Sequence, residues 1–180
     1  NVLLNNTSSI AAPDNITTST WNFGAGANPA TGTGTNVTPL VYTTAGVKNI
    51  TLNLTSNNSC TATITQTVEV YAQPVANFST TSVCQGTATA YTDLSTPTGS
   101  ITGWAWDFTN NGSGDNFTNA PSNLFSPSGT YTTGLIVTDN HGCRDTIALP
   151  VNVWGHAIPD FTPNNVCFGT SSTFSNTTNT

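Results

Sequence analysis

The sequence repeats itself with a period of 83 residues. Gly46-Val47-Lys48-Asn49-Ile50-Thr51-Leu52 aligns with Gly129-Thr130-Tyr131-Thr132-Thr133-Gly134-Leu135. The same offset carries Cys60 to Cys143, Ile64 to Ile147, Val68 to Val151 and Val70 to Val153. It continues from Phe78 to Phe161 and from Val83-Cys84 to Val166-Cys167. Upstream, Trp21-Asn22-Phe23 matches Trp106-Asp107-Phe108 at an offset of 85, so two extra residues fall in a loop, where a repeated domain tolerates insertion. Leu3-Leu4-Asn5-Asn6-Thr7 matches Thr173-Phe174-Ser175-Asn176-Thr177. A period this long means repeated structural units rather than one continuous fold. It predicts an incomplete repeat over 1–72 that lacks its first strand, a complete repeat over 73–154, and the start of a third over 155–180. The chain reads as a window on a longer array.

Each unit reads as short strands. Ile50, Leu52 and Leu54 alternate with Asn49, Thr51 and Asn53, and Ile147, Leu149, Val151 and Val153 do the same, as do Ile64, Val68 and Val70. Asn111-Gly112, Ser128-Gly129 and His141-Gly142 are turn signals between them. No stretch has helical periodicity. Several short alternating strands in about 80 residues predict an all-β chain of tandem immunoglobulin-like antiparallel β-sandwiches.

Composition narrows the function. Lys48 and Arg144 are the only Lys and Arg, against eight carboxylates. Such a surface can neither release counterions from nucleic acid nor hold anionic lipid. No apolar run approaches the roughly 20 residues of a membrane-spanning helix, so no membrane insertion is expected. Yet 36% hydrophobic content with four Trp and eight Phe can build cores. The solvating surface must come from 37 Thr, 23 Asn and 16 Ser, a habit of exported proteins. Asn1 to Ala12 has neither the basic start nor the apolar stretch of a signal peptide, which suits a mature fragment.

The four cysteines form no C-x-x-C pair and have no His at metal-ligand spacing, which argues against zinc and for disulfides in an oxidising compartment. Repeat logic gives every unit its own pair. Cys84 after the first strand would join Cys143 before the last, closing a loop of about 60 residues for ~4 kcal/mol of stabilisation. Cys60 and Cys167 would then pair outside this window. The alternative pairs Cys60 with Cys84.

Trp106-Asp107-Phe108, then Gly129-Thr130-Tyr131, then Leu135 to Asp139 and Asn140-His141-Gly142-Cys143 resemble the PKD domain, whose motif runs W-D-F-G-D-G, G-x-Y-x-V-x-L-x-V-x-D and N-G-C. Val83-Cys84-Gln85-Gly86 and Cys143-Arg144-Asp145-Thr146 are similar to cysteine-bearing PKD repeats of Bacteroidota surface proteins, the SprB-type gliding-motility adhesins. The G-D-G of the motif is Thr109-Asn110-Asn111 here and Gly24-Ala25-Gly26 in the first unit, and Lys48 stands where the motif has Tyr. The resemblance implies an extracellular, cell-surface location, type IX secretion and a part in gliding motility.

Few residues carry chemistry. Asp107, Asn110, Asn111 and Asp115 form an oxygen-rich loop, but the spacing is not that of an EF-hand and the first unit has no carboxylate there; Asx-turns are the simpler reading. Trp104 shares a strand face with Trp106 and Phe108 but aligns with Ser19, leaving it as the one candidate glycan contact, or else a cap on the core edge. Tyr71 and Trp154 end their units beside Pro74 and Pro159 and are expected to pack at the junctions between domains. Asp145-Thr146-Ile147 is similar to the Bacteroidota O-glycosylation pattern, making Thr146 a candidate glycosylation site. Sequons such as Asn15, Asn36 and Asn77 arise readily in so Asn- and Thr-rich a chain. His141 and His156 lack Ser, Cys or Asp partners at a telling distance.

The expectation is a non-enzymatic structural repeat of a long secreted adhesin or filament, with no catalytic residue, metal or cofactor. Its partners would be neighbouring repeats of the same chain, with surface polysaccharide or other cell-surface proteins as further candidates. The other reading is a carbohydrate-binding accessory module of a secreted hydrolase.

Overall fold

The alternation of apolar and polar residues becomes strand throughout. The computed structural model describes residues 4–35, 40–97 and 99–178, and among these it contains strands and turns but no helix. Leu3 and Asn36 lie outside the described residues. The chain divides into two compact units, Asn1–Gln73 and Pro74–Thr180.

The first unit holds β1 (Ile16–Asn22), β2 (Ala27–Asn28), β3 (Thr31–Thr33), β4 (Val41–Tyr42), β5 (Gly46–Ser56) and β6 (Thr61–Val70). Its main sheet has the order β3-β1-β5-β6, all antiparallel, with β2 paired to β4 apart from it. Period two puts Lys48, Ile50 and Leu52 inward from β5. These two apolar residues join Trp21, Phe23 and Leu40 in the core, with Leu4 packed against it.

The second unit holds β7 (Phe78–Thr80), β8 (Val83–Cys84), β9 (Thr89–Asp93), β10 (Ile101–Asp107), β11 (Ser122–Asn123), β12 (Gly129–Asp139) and β13 (Arg144–Trp154). One sheet runs β10-β12-β13-β8 and the other β11-β9-β7. Between them lies an aromatic core. Phe78 meets Trp106 edge-on at 5.2 Å, and Tyr91 lies 5.2 Å from Trp106 and 5.1 Å from Phe108, within the range where aromatic pairs attract. Leu135, Val137, Val151 and Val153 fill the space around them, each contributing roughly 1.5–3 kcal/mol by burial. The Tyr91 hydroxyl shares a hydrogen bond of 2.9 Å with Thr133, so this buried polar pair is satisfied.

Beyond β13, β14 (Phe161–Pro163) pairs with β15 (Phe174–Asn176) in the register Phe161↔Asn176, which is Phe78↔Asp93 displaced by the repeat.

The two cores differ at one edge. In β13, Ile147 and Leu149 are half-buried and Val151 and Val153 buried; in β6, the equivalent Ile64 is 52% exposed. In the second unit β8 lies along β13 and β7 along β9, whereas among the described residues no element of the first unit takes their place.

Candidate functional site

The loop after β10 is closed by its own carboxylates. Asp107 Oδ1 accepts from the backbone N–H groups of Thr109 (3.2 Å) and Asn111 (3.1 Å), Asp107 Oδ2 from Gly112 (2.6 Å), and Asp115 Oδ2 from Phe108 (2.8 Å). Burial pushes the Asp107 carboxyl up, but the hydrogen bonds from Gly112, Asn111 and Thr109 outweigh it and hold it below the ordinary carboxylate value. Asn110 takes a left-handed backbone conformation (φ 52°), which Asn tolerates well. The first unit makes the same turn without charge, Asn22 Oδ1 accepting from the Gly24 N–H at 2.9 Å. An amide that substitutes for the carboxylate marks a turn clasp, and the oxygens of Asp107 and Asp115 accept from the loop's own backbone.

Trp104 sits on β10 half-buried against the core, and its indole N–H donates to Asp93 Oδ2 at 2.6 Å. Asp93 also accepts from the Ser95 N–H at 2.9 Å. The first unit repeats the arrangement with different side chains: Asn6 accepts from the Ser8 N–H at 2.9 Å and donates to Ser19 Oγ at 3.1 Å. Asn176, accepting from the Thr178 N–H, supplies the third copy. This stitch escaped sequence reasoning because Asp93, Asn6 and Asn176 are ordinary turn residues until they are superposed.

The cysteines require a correction. Within the second unit the expected Cys84–Cys143 bridge is not formed. Cys84 lies opposite Trp154, at the end of β13, while Cys143 immediately precedes Arg144, at its beginning. Eleven residues of strand separate the two ends. At about 3.3 Å per residue that is roughly 35 Å, against the 4.4–6.8 Å between the Cα atoms of a typical disulfide. Spacing along the chain could not reveal this, because β8 pairs parallel with the far end of the last strand.

What holds the β12–β13 turn is Asp139, 2% exposed, whose Oδ1 accepts from the N–H groups of His141 and Cys143, both at 2.9 Å. His141 Nδ1 lies 3.8 Å from Asp139 Oδ2. Ser56 performs the equivalent task in the first unit, its Oγ accepting from the Cys60 N–H at 3.2 Å.

Lys48 is more than a varied strand residue. It is 6% exposed, and its Nζ donates to Thr44 Oγ1 (2.9 Å) and the Ala45 carbonyl (3.1 Å), with the Tyr42 ring 5.7 Å away. In the second unit the Tyr131 hydroxyl donates to the Pro127 carbonyl, which stands where Thr44 does in the repeat. The ammonium therefore does the work of a tyrosine that ties its strand to the preceding loop.

Thr146 is exposed on β13 opposite Ile136, and neighbouring Asp145 accepts from the Ala76 N–H at 2.8 Å. Trp154 and Tyr71 are 59% and 46% exposed. Among the described residues no His, Cys, Asp and Glu cluster could hold a metal, and no helix is long and apolar enough to cross a membrane.

Fold and contacts together define an immunoglobulin-like module whose polar side chains clasp its own turns. The PKD domain family matches residues 71–153. The PKD1 domain of Vibrio anguillarum Epp is 31% identical, with 47% of this chain and 98% of that one covered (TM-score 0.41). The PKD1 domain of the Vibrio cholerae metalloprotease PrtV is 29% identical, with 46% and 99% covered (TM-score 0.40). The fibronectin(III)-like modules of Clostridium thermocellum CbhA are 9% identical over 82% and 83% (TM-score 0.40). Comparison with curated proteins finds no match. Residues 71–153 are thus similar to PKD domains, which are non-catalytic modules.

Proposed function

We propose that the chain is a non-enzymatic structural repeat of a long secreted cell-surface adhesin or filament, spacing cell from surface and bearing load between them. Its resemblance to SprB-type repeats extends the proposal to a Bacteroidota surface, type IX export and gliding motility. Neighbouring repeats would be its first partners, and surface polysaccharide or other cell-surface proteins the ligands at a distance.

The observation that supports this most is the path of the chain through the complete unit. Ala76 is tied to Asp145 near the start of β13, and the chain leaves at Trp154, at its end. A pull on the two ends therefore runs along β13. The first stretch of chain is bonded to that strand in parallel, Val83 beside Val153 and the Gln85 N–H on the Trp154 carbonyl at 2.8 Å. Parallel pairing loads these bonds together in shear rather than one after another in peel. Force spectroscopy on the chain tests the reading. Unfolding of the complete unit should lengthen the tether by roughly 250 Å, the extended span of its residues less their folded length. Extension at low force without a discrete rupture would refute a load-bearing role.

That a PKD domain similar to this one occurs in a metalloprotease supports a second reading, an accessory module of a secreted hydrolase that binds carbohydrate through Trp104. Pull-down on insoluble polysaccharide, with Trp104→Ala as control, separates the two readings. Glycosylation at the exposed Thr146 is a further proposal. Peptide mass mapping of native material would reveal a hexose-containing adduct there, and an unmodified peptide would dismiss it.

A further inference from the structure

Among 23 asparagines only Asn111 is followed by glycine. An asparagine in that setting can lose its side-chain amide without an enzyme. The Gly112 nitrogen, once deprotonated, attacks Cγ of Asn111. A bond forms between the two as the Cγ–Nδ2 bond breaks, ammonia leaves, and a cyclic imide remains. Water then opens the imide at one carbonyl or the other, giving aspartate or isoaspartate. Glycine favours the first step because no side chain shields its nitrogen. The space around it is open as well, since a Cβ placed on Gly112 would meet nothing within 4 Å.

The loop holds this reaction half prepared and half blocked. Asn111 is exposed, and its Oδ1 accepts from the Ser113 N–H at 2.8 Å. That Asx-turn folds the side-chain carbonyl back over the Gly112 peptide and draws electron density from the carbon under attack. The block is Asp107. Its Oδ2 accepts from the Gly112 N–H at 2.6 Å and its Oδ1 from the Asn111 N–H at 3.1 Å. The proton that must leave Gly112 is therefore gripped by a carboxylate, and removing it would set an amide anion against a second negative charge. The first unit has no counterpart, because its clasp residue Asn22 is followed by Phe23 and Gly24-Ala25-Gly26 contains no asparagine.

We propose that Asn111 is a self-modifying site kept shut by Asp107, slow to lose ammonia while the carboxylate holds the Gly112 N–H and fast once the loop opens. Aspartate adds a like charge beside Asp107, and isoaspartate lengthens the backbone by a methylene inside the turn, so either product weakens the clasp that restrained it. Refolding does not reverse the change. A second unit that has once opened therefore keeps a covalent mark of it, whatever load the chain bears.

Timed peptide mapping of the whole chain in mildly alkaline buffer, well below its melting temperature, tests this. The mass and isoaspartate content of the fragment holding Asn111 are followed beside a synthetic peptide of residues 107–116. The folded chain should convert at least about tenfold more slowly than the peptide, the factor that a hydrogen bond to a charged group supplies. In urea the chain should convert as fast as the peptide. Asp107→Ala should bring the folded chain most of the way to the peptide's rate. Asp107→Asn, which keeps an acceptor but not the charge, should fall between. Asp115→Asn alters the carboxylate that binds the Phe108 N–H and leaves Gly112 alone, so it should convert as the native chain does. Melting of each variant checks that the second unit is folded; if Asp107→Ala fails to fold, Asp107→Asn carries the comparison. Equal rates in folded chain and peptide would overturn the proposal, as would a native rate in Asp107→Asn. Equal acceleration in Asp115→Asn would overturn it too, making general loop mobility the cause.

Discussion

Side chains that differ in chemistry do the same work in successive units. The turn before the last strand needs a left-handed residue, supplied by Gly142 (φ 80°) in the second unit and by Ser59 (φ 63°) in the first. Serine resists that conformation, glycine does not. Ser59→Gly should raise the stability of the first unit by about 0.5–1 kcal/mol, read from its urea midpoint. Lys48→Ala leaves Thr44 and Ala45 without their donor and should cost about 1–3 kcal/mol, while Lys48→Tyr, the second unit's choice, should restore most of it. Asp107 has a folded-state pKa below its ordinary value of 3.8. Its contribution is therefore present above that ordinary value and lost as pH falls through the lowered one. The melting temperature of the second unit should drop over that interval, and Asp107→Asn should flatten this dependence. None of these roles was legible at single positions, because Ser, Lys and Asp are unremarkable in a Thr- and Asn-rich chain until a homologous turn stands beside them.

At the scale of the strand, most of the fold was legible. Period-two alternation placed Ile50 and Leu52 inward and Asn49 and Asn53 outward, as observed. In β12 the same rule separates Leu135, fully buried, from Ile136, 38% exposed. Leu135→Ala should cost about 2–5 kcal/mol through transfer and cavity terms, and Ile136→Ala under about 1 kcal/mol, by thermal denaturation of each variant. Ile64 shares the face of Val68, as alternation has it, yet it is 52% exposed. The pattern reports the face a residue points to, and whether that face is covered depends on another strand.

Over the whole molecule, the corrected Cys84–Cys143 pairing changes what holds the complete unit together. The complete unit relies on its aromatic core and turn clasps. Reductant should leave its melting temperature unchanged, and Cys84→Ser with Cys143→Ser should do the same; a drop of several degrees in either would reinstate a covalent brace. The 83-residue period, the strand content and the buried Trp21–Phe23 and Trp106–Phe108 pairs all followed from order and composition. They are properties of residues close along the chain, or of repetition itself. The separation of Cys84 from Cys143 and the adoption of a tyrosine's role by Lys48 were decided by tertiary structure alone. Each depends on which strand lies beside which and in what direction, and that is settled by pairing between segments distant in sequence.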